Sequence, residues 1–391
     1  MKKGSVKHKE RAEKHAPGPV GSRLASLFDA RTVELVLAIK ALVLLFGVQA
    51  FTVSQNQRLG SFYEWLSIWN RWDAPHYLDL ARMGYVSEGV EARWIVFYPL
   101  YPWLVRAASF VLRDDLLSAF FVSALASVAA GLLLRRLAQL DETDAAARAS
   151  VFFMFIFPTS YFLHIGYTES LFLALAVGSF LAARVGRWWV AGLLGGLAAM
   201  TRVNGLLLVP ALAFEAWDEY RRVGRRWRPG WLWVACVFAG FGVYLLINLE
   251  VHGDAFAFLR IQGEFWYKHL TGPWVGIQET WRAIWSREPS DAQMVGWQEF
   301  FFVLLGLGMT VWAWLRLRTS YAVWMSCNWL LWTSTKFVLS VPRYTLVMFP
   351  AYFLFARAAL SRPVWGVVIT VWSLLFLALF AARFAQGFWA F

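Results

Sequence analysis

The densest group of polar residues in this chain is Arg71-Trp72-Asp73-Ala74-Pro75-His76-Tyr77-Leu78-Asp79. Pro75 suits the first turn of a helix, where its missing N–H and fixed φ cost nothing, and this puts Asp73 near the N-cap. The helix dipole favours an anionic carboxylate there, and such a group can accept a proton from a substrate hydroxyl. The position also fits a plainer role, in which Asp73 caps the helix and pairs with Arg71. His76, one turn on, falls near the same face, where it could orient a sugar or a phosphate, or hydrogen-bond a neighbour. Steps of three from Asp73 to His76 to Asp79 also permit a metal site, although no second cluster of ligands is evident.

A second group runs through Phe157-Pro158-Thr159-Ser160-Tyr161 to His164-Ile165-Gly166-Tyr167-Thr168-Glu169-Ser170. Glu169 stands at the mouth of two apolar segments, where an acid is expensive unless paired, used, or capping a helix. Arg202 and Asn204 interrupt the apolar run from Trp188 to Trp217, and Arg343 sits in Ser340-Val341-Pro342-Arg343-Tyr344. An arginine in such a setting needs an anion or a water-filled cavity. Together Arg202 and Arg343 could hold a phosphate through planar, charge-assisted hydrogen bonds, with Lys336 a weaker companion. Alternatively each pairs with Asp73 or Glu169, or anchors to lipid headgroups.

These groups need elements to hold them, and the composition says of what kind. The chain of 391 residues is 59% hydrophobic, 18% aromatic and only 16% charged, too apolar for one soluble core. An all-α polytopic membrane protein is expected. A hydrocarbon layer roughly 30 Å thick asks for about 20 helical residues per crossing, and the apolar runs allow about eleven spans, within a range of about nine to twelve. The first span covers 33–53. Later ones are expected near 116–134, 149–165, 170–184, 188–201, 204–218, 231–251, 296–314, 320–340, 345–357 and 364–382. The apolar stretch from Tyr98 to Leu112 is short and reads as re-entrant or interfacial.

The formal charge of +12 does not point to nucleic acid, because the arginines lie in short clusters between apolar runs. Arg221, Arg222, Arg225, Arg226 and Arg228 form one cluster; Arg316 with Arg318 and Arg357 with Arg362 form others. Placing them on the cytoplasmic side puts residues 54–97 outside, as a first loop with short juxtamembrane helices. Also outside are Gly166–Ser170, Thr201–Asn204, the second large loop His252–Ala292, and Val341–Tyr344. That second loop carries Phe265, Trp266, Tyr267, Trp274, Trp281 and Trp285, suited to interfacial anchoring and, less specifically, to stacking on sugar rings. Cys236 and Cys327 lie inside apolar runs and suggest neither a disulfide nor a metal site. Residues 1–32 read as a basic, disordered cytoplasmic tail rather than a signal peptide, and 33–391 as one transmembrane domain.

In chain order, Arg71-Trp72-Asp73 with His76-Tyr77, Gly84-Tyr85, and Phe97-Tyr98-Pro99-Leu100-Tyr101-Pro102 resemble the PIG-V family of GPI mannosyltransferases and its bacterial relatives. Pro158 with Tyr167-Thr168-Glu169-Ser170, and Thr201-Arg202-Val203-Asn204-Gly205, fall where that family has its later motifs. The resemblance covers about residues 33–350. It implies a GT-C fold and an inverting glycosyltransferase using a polyprenyl-phosphate sugar, with mannose as the family's sugar. Asp73 would be the general base. Arg202, Arg343 and Tyr344 would hold the donor phosphate, and Arg71, Trp72, His76, Tyr77, Tyr98, Tyr101, Tyr167, Glu169 and Asn204 would line the substrate. No cofactor or obligatory metal is expected, though a divalent cation is compatible.

The partners expected are the lipid-linked donor, a lipid or glycolipid acceptor and membrane lipids. The eukaryotic family acts on GPI precursors, whereas this short arginine- and tryptophan-rich chain has a bacterial look. A bacterial plasma-membrane enzyme with its site facing outward and a cell-envelope acceptor is therefore expected. Two other readings compete: a transporter or flippase of a lipid-linked sugar, and a GT-C enzyme using another sugar or a protein acceptor.

Overall fold

Long apolar runs close into helices because no backbone polar group can be left unpaired in lipid. A computed structural model describes residues 28–391, so the basic tail lies, up to residue 27, outside the described residues. The described chain is helical throughout, with one isolated bridge between Leu270 and Thr335.

The elements in order are α1 (Ala30–Gln55), α2 (Phe62–Ser67), α3 (Ala74–Met83), a 3₁₀ segment (Val90–Val96), α4 (Leu100–Leu112), α5 (Asp115–Ala138) and α6 (Asp144–Ile156). Then follow α7 (Glu169–Arg184), α8 (Trp188–Ala199), α9 (Leu208–Arg222), α10 (Cys236–His252), α11 (Ala257–Trp266) and α12 (Pro273–Ser286). The series ends with α13 (Glu299–Arg316), α14 (Thr319–Thr333), α15 (Val341–Thr345), α16 (Pro350–Ser361) and α17 (Pro363–Ala385). Side-chain caps fix several starts: Asp29 accepts from the Thr32 N–H, Asp114 from that of Leu117, and Thr143 from that of Ala146.

Among the described residues, five helical stretches are long and apolar enough to cross a membrane: Ala30–Gln55, Asp115–Ala138, Pro229–His252, Pro289–Arg316 and Pro363–Ala385. A sixth is formed if Val90–Val96 and Leu100–Leu112, bent by 114°, count as one broken span. This is the segment expected to be re-entrant or interfacial. Six further apolar stretches expected to cross, around α6, α7, α8, α9, α14 and α16, hold helices of only 12 to 16 residues.

Their ends explain the difference. The stretch expected at 149–165 stops being α-helical at Ile156, before Pro158, and the stretch 320–340 stops at Thr333. The irregular chain that follows each helix is, apart from the exposed Lys336, buried or half-buried in protein, which is where non-helical backbone at membrane depth is tolerated.

Helix α7 is the centre. Every residue from Glu169 to Ala183 is buried, matching a sequence that is apolar all round. It packs between α5 and α8, and α8 in turn lies against α10. That last crossing is close because a Cβ at Gly240 would collide with the backbone carbonyl of Gly196, so small residues set the approach.

Candidate active site

Asp73 enters the site at the start of α3, with Pro75 in the first turn as its spacing predicts. Its side chain makes no capping bond. Nor does it pair with Arg71, whose Nε donates to the Ile68 carbonyl. Asp73 Oδ2 instead accepts from Arg343 Nη1 at 2.6 Å. The plainer reading of Asp73, as cap and Arg71 partner, is therefore corrected: α3 begins in helical geometry at Asp73 itself, which turns the carboxylate away from the free N–H groups.

Arg343 is the hinge of the arrangement. Its Nε donates to Glu169 Oε1 at 2.5 Å, and Arg202 Nη1 donates to the same oxygen and, at 2.9 Å, to Thr168 Oγ1. The two arginines thus share one carboxylate while Arg343 alone reaches Asp73. The Arg343 guanidinium also lies 4.6 Å from the Phe162 ring centre and 4.8 Å from that of Tyr167. The sequence left two alternatives for these arginines, and they pair with the acids while still facing a cavity. Among the described residues, Arg343 Nη2 and Arg202 Nη2 are not occupied by those bonds.

Local folding puts each group there. Tyr167 Oη donates to the Arg71 carbonyl at 2.7 Å and accepts from the Asp73 N–H at 3.2 Å. It thereby clamps Trp72, whose φ of 57° is in the left-handed region that a bulky residue rarely adopts. Arg202 projects from a tight turn closed by Gly205, where a Cβ would meet the backbone of Ala198 and Ala199. Arg343 sits on α15, whose start is held from two sides. Glu299 accepts from the N–H groups of Ser340 at 2.6 Å and Val341 at 2.7 Å, and Thr159 Oγ1 donates to the Pro342 carbonyl at 2.8 Å.

A cavity of about 350 Å³ opens on this cluster. Its polar wall includes Asp73, Thr168, Thr201, Arg202, Asn204, Gln262, Lys268, His269, Arg343 and Tyr344. Its apolar wall includes Val96, Phe97, Phe258, Leu259, Leu270, Leu331 and Leu339. Exposure separates the two acids: the Asp73 side chain is 30% accessible, against 0% for Glu169 and 8% for Arg343. Of the two acids, Asp73 is the one accessible from the cavity.

The other expected site residues divide. Tyr77 and Tyr98 line the cavity, with Tyr98 stacked on Tyr244 at 4.1 Å; Asn204 lines it and donates to Asn328 Oδ1 at 2.7 Å. Tyr167 and Glu169 stand behind the wall and hold Asp73 and the arginines. Tyr101 is buried and donates to the Ala119 carbonyl at 3.1 Å, away from the cavity wall. Trp72 packs edge-on against Trp389.

His76 stacks on Trp94 with ring centres 3.6 Å apart, and burial lowers its pKa below the ordinary histidine value. With His76 so engaged, Asp73, His76 and Asp79 do not gather as a ligand set, and no group of three or more candidate metal-ligating side chains occurs among the described residues. Lys336 faces a second cavity, beside Arg282 and Arg287.

Sequence reasoning missed Lys268, His269, Gln262 and Asn328. For Lys268 a signal existed: beyond residue 14 the only lysines are Lys40, Lys268 and Lys336, in a chain that otherwise uses arginine.

Residues 40–249 match the model of the family described as mannosyltransferase (PIG-V). The chain is 32% identical over 151 residues to GPI alpha-1,6-mannosyltransferase 2 of Rattus norvegicus, a match covering 36% of this chain and 30% of that protein. It is 29% identical over 145 residues to GPI mannosyltransferase 2 of Schizosaccharomyces pombe, covering 35% and 30%. The matched stretch therefore spans under a third of the length of these curated relatives. In three dimensions the chain resembles ArnT from Cupriavidus metallidurans, solved bound to undecaprenyl phosphate, with a TM-score of 0.51 at 13% identity over 91% of this chain and 74% of that one. That likeness is one of fold.

Proposed function

The chain belongs to the mannosyltransferase (PIG-V) family, and from that premise we propose that it is an inverting membrane glycosyltransferase with Asp73 as general base. The donor is a polyprenyl-phosphate sugar, with mannose as the sugar the family indicates. The acceptor is a hydroxyl of a glycolipid or another cell-envelope molecule on the non-cytoplasmic side of a bacterial plasma membrane. The observation that carries this reading is the asymmetry of the acids: Asp73 is the accessible one, and Arg343 holds it at the cavity wall.

The step is one displacement. The acceptor oxygen attacks the anomeric carbon and gives its proton to Asp73, whose Oδ1 is not engaged by Arg343. The bond from the anomeric carbon to the phosphate oxygen breaks, and the polyprenyl phosphate leaves with the electron pair. Arg202 and Arg343 donate their uncommitted N–H groups to the phosphate, and Tyr344 adds its hydroxyl. Tyr77, Tyr98 and Asn204 contact the substrate directly, while Arg71, Trp72, His76, Tyr101, Tyr167 and Glu169 support them from behind. Arginines in this role remove the need for an obligatory metal. The apolar wall from Phe258 to Leu339 suits the isoprenoid chain.

Purified protein incubated with radiolabelled polyprenyl-phosphate mannose and a membrane lipid extract tests the reading. A labelled lipid product is expected, formed equally in EDTA. Absence of product with several lipid-linked sugars would overturn it in favour of a lipid-linked sugar transporter.

A further inference from the structure

Lys268 has no counterpart in the acid–arginine cluster. Its Nζ donates to Tyr344 Oη at 2.8 Å and lies 5.0 Å from the centre of the same ring, while the Arg202 guanidinium is 5.8 Å from that centre. Tyr344 thus has two cations close to its ring. Because its oxygen accepts from Lys268, the hydroxyl proton of Tyr344 is free to point elsewhere, and Tyr344 and Lys268 line the same cavity as Asp73 and Arg343.

The lysine is held in place by backbone. Its own N–H donates to the Gln262 carbonyl at 3.3 Å, the Lys336 N–H to the His269 carbonyl at 2.9 Å, and the Thr271 N–H to the Ser334 carbonyl at 3.1 Å. These bonds, with the bridge of Leu270 to Thr335, pin the second large loop to the chain that follows α14. A lysine that only solvated the loop would not need this anchorage.

Charge gives the cavity its selectivity. Arg202 and Arg343 are matched by Asp73 and Glu169, whereas Lys268 has no carboxylate within 4.0 Å among the described residues. Counting the groups at the cavity, Arg202, Arg343 and Lys268 against Asp73 and Glu169, positive charges exceed negative ones by one, and the buried Glu299 acts on Lys268 only from beyond pairing distance. A sugar phosphodiester brings one negative charge, but the departing phosphate monoester carries about −1.5 to −2 at neutral pH. Charge that develops as the bond breaks is what a fixed cation stabilises best.

We propose that Lys268, braced on Tyr344, is the residue that recognises the leaving phosphate monoester and distinguishes it from the intact donor. The proposal rests on the phosphate-linked donor of the preceding section. It makes Lys268 a determinant of turnover and of product binding more than of donor binding.

Binding of polyprenyl phosphate and of polyprenyl-phosphate mannose to the purified full chain in detergent, at neutral pH, tests this without an acceptor. Lys268→Met should weaken binding of the monoester at least about tenfold and of the donor only about threefold, the scale of one charge-assisted hydrogen bond. Lys268→Arg should restore most of the preference, and it is the informative variant if Lys268→Met does not fold. Equal weakening for both ligands, or wild-type preference in both variants, would overturn the role of Lys268. Failure of the wild-type protein to bind either ligand would instead overturn the donor reading itself.

Discussion

Arg343 reaches back 270 residues along the chain to Asp73 and places its Nη1 2.6 Å from Oδ2. The carboxylate from the first loop and the guanidinium from the last short helix therefore form one unit, with Glu169 as its buried second anchor. Of that unit's two carboxylates, only that of Asp73 is accessible.

Removing Arg343 leaves Asp73 without its partner and Glu169 with Arg202 alone. Arg343→Met should destabilise the fold by about 3 kcal/mol, the low end for breaking a buried pair because Arg202 still compensates Glu169. Arg343→Lys should stay closer to wild type in stability yet lose transfer at least about tenfold, since one ammonium lacks the planar fork that spans two acids. Thermal unfolding in detergent, read beside transfer rates, checks both. An active Arg343→Lys variant at wild-type rate would contradict the bridging role.

Tyr167→Phe removes both bonds across Trp72 while keeping the ring that packs under Arg343. The turn that aims Asp73 is then free to relax. Transfer should fall about tenfold to a hundredfold through kcat, the scale expected when a base is slightly misplaced, with the unfolding midpoint little changed. A large loss of stability with unchanged kcat in the surviving fraction would assign Tyr167 to folding alone.

His76 gives a pH signature. Burial lowers its pKa in the folded chain, while Asp73 and Asp79 oppose that shift. The folded state then binds this proton less readily than the unfolded chain, so the contribution is constant above about 6.5 and stability is lost as pH falls below it. His76→Phe, which keeps the stack on Trp94, should flatten that part of the profile. Identical acid sensitivity in the variant would show that other groups set it.

The sequence made some of this readable and hid the rest for physical reasons. Glu169, Arg202 and Arg343 stood out because each is a charge in apolar surroundings, which lipid does not tolerate without a purpose, and Asp73 because it opens a helix within the densest polar group of the chain. Which of them pair could not be read, because Arg343 and Asp73 are brought together only by packing around α7. His76 looked like a substrate ligand from its spacing, but Trp94, from the following 3₁₀ segment, takes its ring. Lys268 was hidden among the aromatics of the second loop, although its rarity was visible. Long spans such as α1, α5 and α17 follow from hydropathy alone, and the early end of α6 has a local signal in Pro158, whereas α14 ends early because the chain beyond it is held by protein packing, a tertiary fact with no local signal.

The central claim is that Asp73 takes the acceptor proton. Asp73→Asn keeps the size of the side chain and a carbonyl oxygen for Arg343 while removing the base. Single-turnover transfer from radiolabelled polyprenyl-phosphate mannose should fall by about a hundredfold to ten-thousandfold, with binding of the donor and the unfolding midpoint close to wild type. Transfer at the wild-type rate in that variant would contradict the account.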